Sequence, residues 1–175
     1  MFQLPDYWSF PPLFTIQPCE STKEKQLKMW SDLILKYHEN LKENIMVPGS
    51  FEYFTNTNID RTLSQDGRKL VCDYMVSNGQ AEWIGEDINI KNRLRLIFKS
   101  IDTLAGEIYK YADTIGLKGQ VLTIYELHSG EEHRDASFAG SDPIMIERAL
   151  EKLQNEGKCT IFSGESDTER GVKFD

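Results

Sequence analysis

From Ser21 to about Lys42 the apolar side chains Leu27, Trp30, Leu33, Ile34, Tyr37 and Leu41 recur three and four residues apart, which predicts one long amphipathic helix with Ser21 or Thr22 as N-cap. Such a stripe must pack on something. Ile45-Met-Val47, ahead of Pro48-Gly49, reads as a short strand, and Thr55-Asn-Thr-Asn58 as a turn before a brief helix at Ile59 to Leu63. Ser64 is placed to cap a second helix running to about Val76, with Leu70, Val71, Tyr74 and Met75 inward and Asn78-Gly79 at its end. Two strands then follow, Ala81 to Ile84 and Asn92 to Phe98, joined around Gly85-Glu-Asp87 as a hairpin.

The same order then recurs. Ser100 caps a helix from Ile101 to Ile115, with Ile101, Leu104, Ile108, Ala112 and Ile115 on one side; Val121 to Ile124 reads as a strand and Tyr125 to Leu127 as a short element. After a polar loop, Asp142 with Pro143 opens a helix that uses Ile146, Ala149, Leu150 and Leu153 and stops at Gly157. Lys158 to Phe162 and Gly171 to Phe174 close the chain as strands around the loop Gly164 to Arg170. Laying Gly79 over Gly157, an offset of 78, pairs Val71 with Ala149, Cys72 with Leu150, Met75 with Leu153 and Ala81 with Cys159. A repeated order of helix, strand, short helix, helix and hairpin is that of a winged helix. The fold class expected is therefore α+β, mainly helical: two tandem winged helices, residues 21–100 and 101–175, behind an arm at residues 1–20.

That arm is of a different kind from the rest. The first 20 residues hold four of the six prolines and five aromatic residues, so polyproline II or irregular extended chain is expected. Tyr7, Trp8, Phe10, Pro11, Pro12 and Phe14 are candidate partner-binding residues, having the composition of a recognition peptide for an aromatic-lined groove. On a polyproline helix Pro11 and Phe14 lie one turn apart, on one side. The alternative is an arm that folds back to cover its own core.

Composition narrows the function. In 175 residues, 39% are hydrophobic, 27% are charged, and no run is long and apolar enough for a bilayer span. Met1-Phe-Gln-Leu-Pro-Asp6 lacks the pattern of a secretory signal, so a cytoplasmic protein is expected. Cys19, Cys72 and Cys159 are far apart and read as free thiols. Residues 101–175 carry 15 acidic and 8 basic residues, net −7, which repels polyphosphates and attracts basic proteins. Winged helices commonly read DNA, and a transcription regulator is the runner-up. The helix before each hairpin, however, shows Asp66, Arg68, Lys69 and Asp73 or Glu147, Arg148, Glu151, Lys152 and Glu156, neither a basic face, so no nucleic acid is expected as partner. His128 and His133 with Glu131, Glu132 and Asp135 could sketch a metal site, yet the pattern reads as a solvated loop, as His38 reads as surface. No catalytic residue, metal or cofactor is expected.

Taken together, Ser9-Phe-Pro-Pro-Leu-Phe-Thr15 with Gln17-Pro18, Lys25-Gln26, Trp30, Leu122-Thr-Ile-Tyr-Glu-Leu127 with Gly130-Glu131, and Gly171-Val-Lys-Phe174 resemble the small-subunit family of the endosomal sorting complex ESCRT-II. The resemblance runs nearly end to end. It implies a non-enzymatic adaptor in multivesicular-body sorting of ubiquitinated membrane cargo, cytoplasmic and peripheral on endosomal membranes, touching the membrane only indirectly. It also implies that the arm docks the two larger ESCRT-II subunits, with two copies of the chain per complex, through Phe10, Pro11, Pro12 and Phe14. An ESCRT-III subunit would be engaged through residues 101–175. Phe14 stands where some members have Tyr, and a second such motif would fall on Leu4-Pro-Asp-Tyr7, with Asp6 where a proline would stand.

Overall fold

Glu20–Leu41 form α1, whose N-cap is Cys19, without a side-chain capping bond, so Ser21 and Thr22 lie inside the first turn rather than before it. The computed structural model describes residues 2–85, 93–164 and 170–175. The expected hairpin connection at Glu86 and Asp87, the strand start at Asn92 and most of the loop after Gly164 lie outside the described residues. The chain divides into two compact units, Met1–Phe98 and Lys99–Asp175.

In the first unit α1 is followed by β1 (Ile45–Met46), a run of short 3-10 turns, a small hairpin β2–β3 (Thr55–Asn56 and Arg61–Thr62), α2 (Gln65–Ser77), β4 (Ala81–Trp83) and β5 (Leu94–Leu96). The brief helix expected at Ile59 to Leu63 is instead a 3-10 turn at Thr57–Ile59 leading into β3. The Asn56 carboxamide accepts the Asn58 N–H there, giving the backbone a turn in place of a helix. Ser64 caps α2 by accepting the Gly67 N–H at 3.1 Å, as expected. The sheet order is β1-β5-β4, so the strand between α1 and α2 pairs with the last strand of the hairpin. Trp30, Leu33, Ile34, Phe54, Leu63, Val71, Cys72, Met75, Leu94 and Leu96 fill the core beneath it. Two residues expected inward, Leu41 and Leu70, face outward. Leu41 sits at the fraying end of α1, where Lys42 turns left-handed.

In the second unit α3 (Ile101–Thr114), β6 (Val121–Thr123), α4 (Ile124–Ser129), α5 (Pro143–Asn155), β7 (Cys159–Phe162) and β8 (Gly171–Phe174) follow, with sheet order β6-β8-β7. Ser100 caps α3 and Asp142 caps α5, both through accepted N–H bonds, while Thr123 and Glu126 form a reciprocal capping box on α4. Ile115, expected on the inner side, is exposed just past the end of α3.

The offset of 78 holds at the level of individual strand pairs. Ala81 faces Leu96 and Trp83 faces Leu94; Cys159 faces Phe174 and Ile161 faces Val172, each residue 78 positions on. The same offset carries buried Trp30 onto buried Ile108 and Ile34 onto Ala112, so the first helices share the register too. Gly79 and Gly157 both take positive φ, 68° and 69°, where a side chain would be strained. Each unit is a winged helix.

Candidate functional site

Pro5 precedes the first turn of the arm as its N-cap, and Pro11 opens the second at its first position, where φ is fixed and no N–H is needed. The arm does not run as polyproline II. Asp6–Ser9 and Pro11–Phe14 each form a 3-10 turn. Trp8 donates its N–H to the Pro5 carbonyl, Phe10 to Tyr7 and Leu13 to Phe10, all at 3.0 Å, and Thr15 donates to Pro12 at 3.3 Å. Phe10, restricted by the proline after it, stays extended between the two turns.

These turns separate residues that an extended arm would have placed together. Phe14 points inward at 4% exposure, edge-on to the Trp30 indole with centroids 5.3 Å apart, and Leu13 is buried beside it. Tyr7 and Trp8 are half-buried. The Tyr7 hydroxyl donates to the Met29 carbonyl at 3.1 Å, and the Trp8 indole N–H donates to the Tyr53 carbonyl at 2.9 Å, with its ring edge-on to Tyr53. Burial, then the nearby Asp32, pushes the Tyr7 hydroxyl above its ordinary pKa. Asn56, itself buried, donates its amide to the Trp8 carbonyl at 3.1 Å. Only Phe10, Pro11 and Pro12 of the six candidate residues face solvent, Phe10 at 58% exposure. The arm is thus a strap on the first winged helix, and among its exposed residues a ring followed by two pyrrolidines stands between Ser9 and buried Leu13.

The seat of the strap is polar and was missed in the sequence. Gln26 on α1, 4% exposed, donates its Nε2 to the Leu13 and Thr15 carbonyls at 2.8 Å and to the Pro12 carbonyl at 3.3 Å. Its Oε1 accepts the Gln17 N–H at 3.1 Å. Trp30 donates its indole N–H to the Leu13 carbonyl at 3.0 Å. The hint lay in a Gln on the apolar stripe one residue before Leu27, where a polar side chain is buried only if its hydrogen bonds are met.

His38 is buried rather than on the surface: its Nδ1 donates to the Ile34 carbonyl at 2.9 Å, its ring stacks on Phe51, and burial lowers its pKa. His133, expected in a solvated loop, is also buried, with Nδ1 3.1 Å from the Tyr111 hydroxyl. Among the described residues no three His, Cys, Asp or Glu side chains are grouped to hold a metal, and no helix is long and apolar enough to cross a membrane. On α2 the Arg68 side chain donates to the Leu63 carbonyl and lies over the Phe54 ring. On α5 Lys152 pairs with Glu156 and Asp102, and Glu147 with Arg170. Neither helix offers phosphates an array of free cations.

Fold and site together define a tandem winged-helix protein that wears a proline-aromatic strap on its first unit. The chain belongs to the ESCRT-II complex subunit family, whose model matches residues 7–142. It is 34% identical to the vacuolar protein sorting-associated protein 25 of Arabidopsis thaliana over 174 residues, covering 99% of this chain and 96% of that one. With its Xenopus laevis counterpart it shares 35% identity over 176 residues, 99% and 98% of the two chains. The crystal structure of that subunit from the endosomal trafficking complex ESCRT-II superposes with a TM-score of 0.82 at 28% identity, covering 99% of each chain. A chain in the crystal structure of the ESCRT-II complex of VPS22, VPS25 and VPS36 gives 0.80 at 27% identity, covering 97% of this chain and 98% of that one.

Proposed function

We propose that the protein is a non-enzymatic adaptor subunit of ESCRT-II, cytoplasmic and peripheral on endosomal membranes, that docks the two larger subunits through Phe10, Pro11 and Pro12. The observation that carries this reading is the strap itself: a large ring and two prolines held outward at 58% exposure for Phe10, on a segment otherwise bonded into its own unit. An apolar ring left in water by a well-packed surface is suited to a pocket elsewhere. Because the turns are already formed, docking orders little new chain, and burying one ring contributes on the order of 2 kcal/mol. Tyr7, Trp8 and Phe14 hold the strap in this reading rather than entering the partner.

Two copies per complex, sorting of ubiquitinated cargo and engagement of an ESCRT-III subunit by residues 101–175 belong to the same proposal. The net charge of −7 over that unit supports a basic partner. Isothermal calorimetry of the full chain against the co-purified pair of larger subunits tests the docking. Phe10→Ala is expected to weaken binding by about 2 kcal/mol with the unfolding midpoint unchanged. Undiminished affinity would remove the strap from the interface.

A further inference from the structure

We infer that Gln26 is a positioning residue for partner docking: its buried carboxamide, hydrogen-bonded along the strap, sets the pose in which Phe10, Pro11 and Pro12 are presented. The inference rests on the docking proposed above. Gln26 reaches four residues of the strap, Pro12, Leu13, Thr15 and Gln17. Its amide is oriented by those partners, since a flipped group would set its oxygen against three carbonyls. Three carbonyls converging on one Nε2 at 2.8 to 3.3 Å close the strap into a loop just behind Pro11 and Pro12. The loop is fixed further by the Trp30 indole, one turn along the same helix, at the Leu13 carbonyl and by the buried Phe14 ring.

The site demands an amide. A carboxylate would bring an acceptor against three carbonyls, and an apolar side chain would take the acceptor from the Gln17 N–H and one donor from each carbonyl, leaving Trp30 to hold Leu13 and the Gln17 side chain to hold Pro12 and Thr15. Gln26→Glu therefore becomes a chemical switch for the pose. Ionised, it repels the loop; protonated, it regains one donor. A carboxyl buried among carbonyls takes up its proton above the usual carboxylate range, so acidification should restore the loop within an accessible window.

The test uses the full chain, with the two larger ESCRT-II subunits as probe and calorimetry at pH 7.5 and 5.5. Wild type serves as the control at both values, and thermal unfolding follows every variant. Gln26→Glu is expected to bind about tenfold more weakly at pH 7.5 and to recover toward wild type at pH 5.5. Gln26→Met, similar in length but without polar atoms, should be weakened at both. In Gln26→Met, which lacks an acceptor for it, the Gln17 amide should exchange faster with solvent than in wild type. Wild-type affinity for Gln26→Glu at pH 7.5, or a loss that acid does not relieve, would overturn the assignment. Phe10→Ala in the same series separates the two ideas: if it weakens binding while Gln26→Glu does not, the positioning role alone fails, and if it too binds as wild type, the docking reading fails with it.

Discussion

Two phenylalanines four residues apart in the strap have opposite work. Phe14 is a core residue, edge-on to Trp30 and almost fully enclosed. Truncation to Ala leaves a cavity beside that indole, and the expected cost is about 3–5 kcal/mol of first-unit stability, read by denaturant unfolding. Phe10, at 58% exposure, should cost almost nothing in the same experiment. Equal destabilisation by the two substitutions would contradict the strap geometry. Cysteines divide as sharply. Cys19 is exposed at the start of α1, and hydrogen bonds, first from the Ser21 side chain and then from Thr22, bring its thiol down to about 7. Burial pushes the Cys72 thiol up to about 12 and that of Cys159 to about 11. Alkylation followed by peptide mass spectrometry should therefore label Cys19 alone in the folded chain, with a rate that halves as pH falls to about 7. Labelling of Cys72 at a comparable rate would show that the first unit opens readily.

Helix ends are where the sequence speaks most directly, because a cap is a local bond. Ser64, Ser100 and Asp142 sit where the residue pattern puts them, whereas the Thr123–Glu126 box is seen only in the structure. Ser64→Ala is expected to cost about 1 kcal/mol in unfolding of the first unit, since the Gly67 N–H loses its acceptor; no change would mean that water replaces the cap at no loss. Strand pairing was legible for a different reason: an offset of 78 that aligns apolar positions also aligns their partners across the sheet. An arm folded back over its own core was one of the two readings the sequence left open, and Leu13 and Phe14 bear it out; the turns the strap takes were not legible. Its prolines forbid an α-helix and permit both polyproline II and a 3-10 turn, and the choice is made by Gln26 and Trp30, 14 and 17 residues from the carbonyls they reach. Local pattern carries no information on a bond over that separation. His38 and His133 were misread for a related cause: each is buried because one backbone or hydroxyl partner, invisible in the linear order, satisfies a ring nitrogen.

At the scale of the whole molecule, one register is used twice. The first winged helix carries the strap, and the second carries the negative charge, net −7 over residues 101–175. The proposed attraction between that unit and a basic ESCRT-III segment should weaken as salt is raised from 0.05 to about 0.5 M, where the Debye length contracts to a few ångströms. Affinity flat across that range would make the acidity incidental to the contact. For the strap, the central claim is that exposed Phe10, Pro11 and Pro12 hold the chain to the rest of ESCRT-II. The most direct measurement is co-purification of the full-length triple variant Phe10→Ala, Pro11→Ala, Pro12→Ala with the two larger subunits. The account predicts a folded chain, unfolding near the wild-type midpoint, that no longer co-purifies at micromolar concentration; a folded variant that still assembles in full yield would contradict it.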